Sequence, residues 1–134
     1  MSSAALIYTD GGSRGNPGPS AAGAVIIQNG TTIATVSEFL GIQTNNYAEY
    51  MALILALEKA LQLGVTDVEV RMDSELIVKQ MTGKYKIKHA GLRPLFIKAS
   101  NLAKKFSSFS IMHVRRELNQ EADRLANMAM DAAQ

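Results

Sequence analysis

The chain contains no cysteine. That excludes disulfides, thiolate metal sites and cysteine nucleophiles, and it fits a reducing compartment. The amino-terminal "MSSAALIYTD" has neither the basic start nor the long apolar stretch of a signal peptide, so none is expected. No uninterrupted apolar run approaches membrane-spanning length, and a cytoplasmic protein with no membrane partner is expected. Internal repeats, low-complexity linkers and composition breaks are also missing. With 134 residues, 47% of them hydrophobic, the chain has room for one core, and a single domain over 1–134 is expected. One further absence is local. Between Leu76 and Arg116 there is no acidic residue, yet that stretch holds most of the chain's 14 Lys and Arg residues, Lys84, Lys86 and Lys88 among them. The formal charge of +2 hides a patch of strong positive field, the footprint of a surface for polyanions.

What is present reads as alternating strands and helices. Residues 4–10 and 21–29 have strand character, and Asn29-Gly30 is a hairpin signal leading to a third strand over about 32–40. Residues 45–63 form a long helix, apolar on most faces and ended by Gly64. A fourth strand (67–73), a short helix capped by Ser74 (74–81), a helix over about 94–105, a fifth strand (108–114) and an amphipathic helix (119–133) follow. The hairpins make the first three strands antiparallel, and the helical crossovers make strands four and five parallel to strand one. The expected class is therefore α/β, with a five-stranded mixed sheet flanked by helices. Strands one, three, four and five all end at one edge, where open α/β sheets bind ligands.

Four carboxylates fall at that edge. Asp10 ends strand one, Asp73 ends strand four, and Glu49 and Asp123 lie in the first turns of the helices after strands three and five. Each alone has a structural reading as a turn former, helix-dipole partner, cap aid or surface acid. Together they would repel one another and raise each other's pKa unless a cation neutralised them. An all-oxygen donor set suits Mg²⁺ or Mn²⁺ rather than Zn²⁺. Two such ions about 3.5–4 Å apart are a standard device for displacement at a phosphodiester. An acidic metal site beside a basic surface is what a nuclease needs.

The motifs around these acids resemble the type 1 ribonuclease H family over essentially the whole chain. "TDGGSRGNPGP", "TNNYAEY", "VRMDSELIV" and "ELNQEADRLA" are similar, in order, to that family's four motifs. The resemblance implies a ribonuclease H-like fold, a single ribonuclease H domain, and cleavage of the RNA strand of RNA–DNA hybrids to 5′-phosphate and 3′-hydroxyl ends. It implies two Mg²⁺ ions, with Mn²⁺ as a possible substitute, held by Asp10, Glu49, Asp73 and Asp123. Gly11, Asn16, Asn45 and Asn46 match positions lining the hybrid's minor groove, Glu75 lies next to the groove, and Thr44 matches a position near the DNA phosphates. Asn119 sits beside the fourth ligand and is placed with the nucleic-acid-binding residues. A monomer is also implied. A silent binding module on the same fold would have lost one of the carboxylates, and none is lost. A transposase core or junction resolvase would lack the TNN and DGGSRGNPG segments.

Three departures from the best-known bacterial form stand out. The basic helical protrusion between the middle helices is missing, and only "GKYKIKHAGLR" fills its place, with its lysines and Tyr85 as a partial replacement. The flexible loop that carries a histidine in that form is shortened to "RRELN", which puts Arg116 or Glu117 near that place for proton transfer or product release. His113 is expected in the core or on a face of strand five, and His89 in the solvated patch. Finally, Glu75 replaces a glutamine.

Overall fold

The computed structural model describes residues 3–133, so the outermost ends of the expected 1–134 domain lie outside the described residues. The strands are β1 (Ala4–Ser13), β2 (Gly18–Gln28), β3 (Thr31–Gln43), β4 (Asp67–Met72) and β5 (Ser108–His113). The helices are α1 (Asn45–Gln62), α2 (Glu75–Met81), α3 (Arg93–Ala103) and α4 (Gln120–Ala132), with short 3₁₀ turns at Ala90–Leu92 and Arg116–Leu118. The sheet order is β3-β2-β1-β4-β5. β1 is antiparallel to β2 and parallel to β4, β2 is antiparallel to β3, and β4 is parallel to β5. The five-stranded mixed sheet is the expected one. Asn29 (φ 52°) and Gly30 (φ 75°) both take the left-handed conformation that a two-residue hairpin needs.

The core lies between the sheet and α1. Ile7, Ile26, Leu53, Ile54, Leu57, Val70, Met72 and Ile77 are fully buried there. α1 is buried on most of its length because the sheet lies under one side and α2 and α3 pack beside it. The opposite face of β1–β3 is covered by the more strongly amphipathic α4, through Ala122, Leu125, Ala126 and Met130.

Three boundaries differ from expectation, the first being β2, which begins at Gly18 rather than 21. β1 does not stop at Asp10. It continues through Gly11, Gly12 and Ser13, which pair with Ala22, Ala21 and Ser20 of β2. β3 likewise continues to Gln43. The glycines after Asp10 fall beyond the expected end of the strand, but Gly11 is needed inside it for clearance. A Cβ there would lie 2.1 Å from the Ala48 carbonyl oxygen of α1. Gly23 does the same for α4, since its Cβ would meet the Ala122 carbonyl at 2.2 Å and the Ala126 nitrogen at 2.6 Å. Both helices therefore rest on bare strand backbone. What does end at the expected place is the parallel pairing, whose last partners are Thr9 and Met72. Asp10 is the first β1 residue beyond the cover of β4.

Gly23→Ala should force α4 away from β2 and destabilise the protein by about 1–3 kcal/mol, the usual cost of overpacking. Urea unfolding measures this. An unchanged midpoint would mean that the helix does not depend on the close contact.

Candidate active site

Each carboxylate reaches the sheet edge from a different element. Asp10 projects from β1, and Asp73 follows the last residue of β4. Ser74 then caps α2 by accepting the Ile77 N–H at 3.3 Å, which fixes how the chain turns after Asp73. Thr44 caps α1 by accepting the Tyr47 N–H at 3.2 Å, and Glu49 lies just beyond that first turn. Glu49 is buried, and its Oε1 accepts the Gly11 N–H at 2.9 Å. Asp10, Glu49 and Asp73 each place a carboxylate oxygen within 4.8 Å of the others. Asp123, in the first turn of α4, borders the same cleft of about 360 Å³.

The electrostatics follow from this crowding. Burial, followed by the charges of Glu49, Asp73 and Asp123, pushes the Asp10 carboxyl up to about 9. Burial pushes Glu49 up to about 8, against the opposing effect of the Gly11 N–H. Asp73 is raised as well, chiefly by burial, while the nearby Arg116 pulls it down. These carboxyls are held where their charged forms are unfavourable, so the site is poised to exchange protons for a cation. The donors are oxygens only, at a spacing a hard divalent ion can bridge, and they fit Mg²⁺ or Mn²⁺.

Around the cleft the expected residues divide. Asn45 and Arg116 line it. Glu117 does not; its carboxylate lies 4.0 Å from Arg115, so of the two loop candidates it is Arg116 that faces the acids. Asn16 is exposed and accepts the Asn45 N–H at 3.0 Å, which ties the loop after β1 to the start of α1. Asn46, Lys84, Lys86 and Lys88 line a separate cavity of about 490 Å³ with Tyr85 and Gln80. Among the described residues those three lysines form no ion pair, whereas Lys98 pairs with Glu58.

The expectation for Asn119 needs correction, and the other expected residues have partners that the sequence does not show. Gly11 is buried beneath α1 and serves Glu49 through its N–H, although it still borders the cleft. Asn119 is only 2% exposed, and its amide donates to the Thr9 carbonyl at 2.8 Å, so it presents no open face to a nucleic acid. Glu75 is engaged by Lys79 at 2.8 Å, one helical turn on. Lys79 in turn donates to the Tyr85 hydroxyl at 3.2 Å and lies 4.9 Å from its ring centre. His89 caps the Ala90–Leu92 turn by accepting the Gly91 N–H. His113 is exposed at the end of β5, opposite Met72, where its charge reaches Asp73 and Glu75. Arg14 was missed altogether. It lines the cleft and joins the loop after β1 to α4 through Asp131 at 2.7 Å and Asn127 at 3.1 Å.

Fold and site together define an acidic nuclease-type centre on a mixed sheet, and known proteins place it. The reverse transcriptase-like family matches residues 8–129. The chain is 48% identical over 96% of its length to a bifunctional protein of Mycobacterium tuberculosis, of which it covers 36%. The ribonuclease H1 structure of the archaeon Halobacterium salinarum superposes with a TM-score of 0.94 at 45% identity, covering 96% of this chain and 98% of that one. LC11 ribonuclease H1, isolated from compost and solved in complex with an RNA/DNA hybrid, gives 0.92 at 46% identity over 96% and 98%. The chain belongs to the type 1 ribonuclease H family. It spans 36% to 64% of the length of the first curated relatives it matches. No described helix is long and apolar enough to cross a membrane.

Asp10 and Glu49 keep protons in the folded, metal-free protein at pH values where the unfolded chain has released them. Stability should therefore fall as pH rises from about 5 towards 8–9 in EDTA. Mg²⁺ should raise the Tm more at the upper end of that range than at the lower. Thermal scans in both buffers measure this, and a metal increment that does not change with pH would contradict the proton–metal exchange.

Proposed function

We propose that this domain is a ribonuclease H, an endonuclease that hydrolyses the RNA strand of RNA–DNA hybrids and leaves 5′-phosphate and 3′-hydroxyl ends. The observation that carries the reading is the convergence of Asp10, Glu49 and Asp73 within 4.8 Å in an open cleft, with Asp123 on its wall. The hybrid-bound LC11 relative supports the choice of substrate. Two Mg²⁺ ions, or Mn²⁺ in their place, held by these four carboxylates would supply an activated water and stabilise the leaving oxygen.

The chain's own groups do the rest. Arg116 faces the carboxylates from the loop before α4 and offers a guanidinium to the phosphate being cleaved. Asn16, Asn45 and Asn46 cluster where the loop after β1 meets the start of α1, and short amide groups there suit the 2′-hydroxyls of a wide minor groove, with Thr44 beside them for the phosphates of the DNA strand. Lys84, Lys86 and Lys88 hold the backbone of the hybrid at a distance from the chemistry. Such contacts read shape and sugar rather than base sequence. The reading carries with it a cytoplasmic monomer that needs no protein partner.

With a labelled hybrid and Mg²⁺ the protein should cleave the RNA strand, and EDTA should stop it. Persistent cleavage in EDTA, or equal cleavage of double-stranded DNA, would sink the proposal. Asp10→Asn should lower kcat by about 10³-fold or more. The same variant should raise the Tm of the metal-free protein, because it removes a buried carboxyl that folding forces to take up a proton. Replacing Lys84, Lys86 and Lys88 with Ala should weaken hybrid binding and reduce its salt slope by about 2–3. An unchanged slope would leave those lysines outside the interface.

A further inference from the structure

We infer that Asn119 is a positioning residue, which pins the start of α4 to β1 and so fixes the separation of Asp10 and Asp123. The inference rests on the proposed function for its meaning, but not for its geometry. Asn119 reaches both ligands through one residue. Its side-chain amide donates to the carbonyl of Thr9, the neighbour of Asp10, across 110 positions of sequence. Its own carbonyl accepts the N–H of Asp123 at 3.2 Å. This path consists of one buried side-chain hydrogen bond and one helical turn.

The way Asn119 spends its polar atoms supports this role. It stands at the N-cap position of α4, where asparagine is favoured because its oxygen can accept a first-turn N–H. It makes no such bond. Its Oδ1 is buried without a partner among the described residues, while the amide nitrogen is committed to β1. A residue kept for capping would use the oxygen; this one uses the nitrogen. The site gains from it because Asp123 is the carboxylate outside the tight group formed by Asp10, Glu49 and Asp73. Glu49 is held directly by Gly11, and Asp73 by the turn into α2. Asp123 depends on where α4 begins, and Asn119 sets that point.

The test compares Asn119→Ala with Leu102→Ala, a buried change in α3 away from the cleft. Three readouts are taken on the folded proteins: amide hydrogen exchange, calorimetric Mg²⁺ titration, and KM and kcat on a hybrid. Asn119→Ala should speed exchange in the first turn of α4 by about tenfold relative to the rest of that helix. It should weaken Mg²⁺ binding by about 10-fold or more, the effect of losing a group that orients a ligand. kcat should fall while KM for the hybrid stays within about twofold of the wild type. Leu102→Ala should lower the Tm and leave exchange in the first turn of α4 and Mg²⁺ affinity unchanged. If both variants alter those two quantities equally, or neither does, the pinning role is wrong. Asn119→Ser, whose shorter hydroxyl cannot span to Thr9, replaces the alanine variant should that one fail to fold. Exchange in α4 decides the inference even if the wild type takes up no Mg²⁺, an outcome that would overturn the proposed function instead.

Discussion

Two helices lie directly on strand backbone, α1 at Gly11 and α4 at Gly23, and the position of the site depends on those contacts. A side chain at either place would need space already taken by helix backbone, so each helix would have to lift. Each of these helices carries a carboxylate, Glu49 or Asp123, to the same edge of β1. The Gly11 contact has a second effect. It brings the Gly11 N–H within 2.9 Å of the Glu49 carboxylate, so the clearance that admits the helix also supplies the hydrogen bond that orients its acid. Geometry and electrostatics at this edge therefore have one origin.

That closeness works against the stability of the metal-free fold. Burial and mutual repulsion raise Asp10 and Glu49 far above the ordinary carboxylate range. Isolated buried charges are costly, and proteins normally avoid them or pair them. Here Asp10 is set on the central strand of the sheet. The backbone of β1 is paired on one side with β2 and on the other with β4 up to Thr9, and the apolar core lies below. The loop after β1 adds further ties, through Asn16 to α1 and through Arg14 to α4. Arg116 is the cation that the chain itself contributes to offset the cluster, and it does so from an exposed loop, where it can also meet a substrate.

The strand directions and shared edge could be read from the sequence, because hairpin signals and helical crossovers leave few arrangements. The four acids could be read too, since apolar periodicity locates each one relative to the end of an element. Contacts between distant residues could not. The glycines after Asp10 were legible as glycines, but not as clearance for α1, because a turn and a close approach select the same residue. Asn119 looked like a surface amide beside a ligand; only the fold shows the Thr9 carbonyl waiting for its nitrogen. The role of Glu75 depended on the rotamer it takes. Lys79 lies one turn away and captures it, a pairing that any solvated helix could have made or omitted.

α2 links the acidic and basic halves of the molecule. It begins two residues after Asp73, which borders the cleft, and ends just before the lysine-rich connector. Seven residues of helix span about 10 Å, comparable to three nucleotide steps along a strand. Lys79 lies within that span, but Glu75 offsets its charge, so the unpaired positive field starts beyond the helix at Lys84. Tyr85 is held at the same point by Lys79. Lys84, Lys86 and Lys88 border the cavity beside α2 with Asn46 and Gln80, separate from the cleft of the carboxylates. None of these lysines borders the cleft, where it would compete with a metal for the same oxygens.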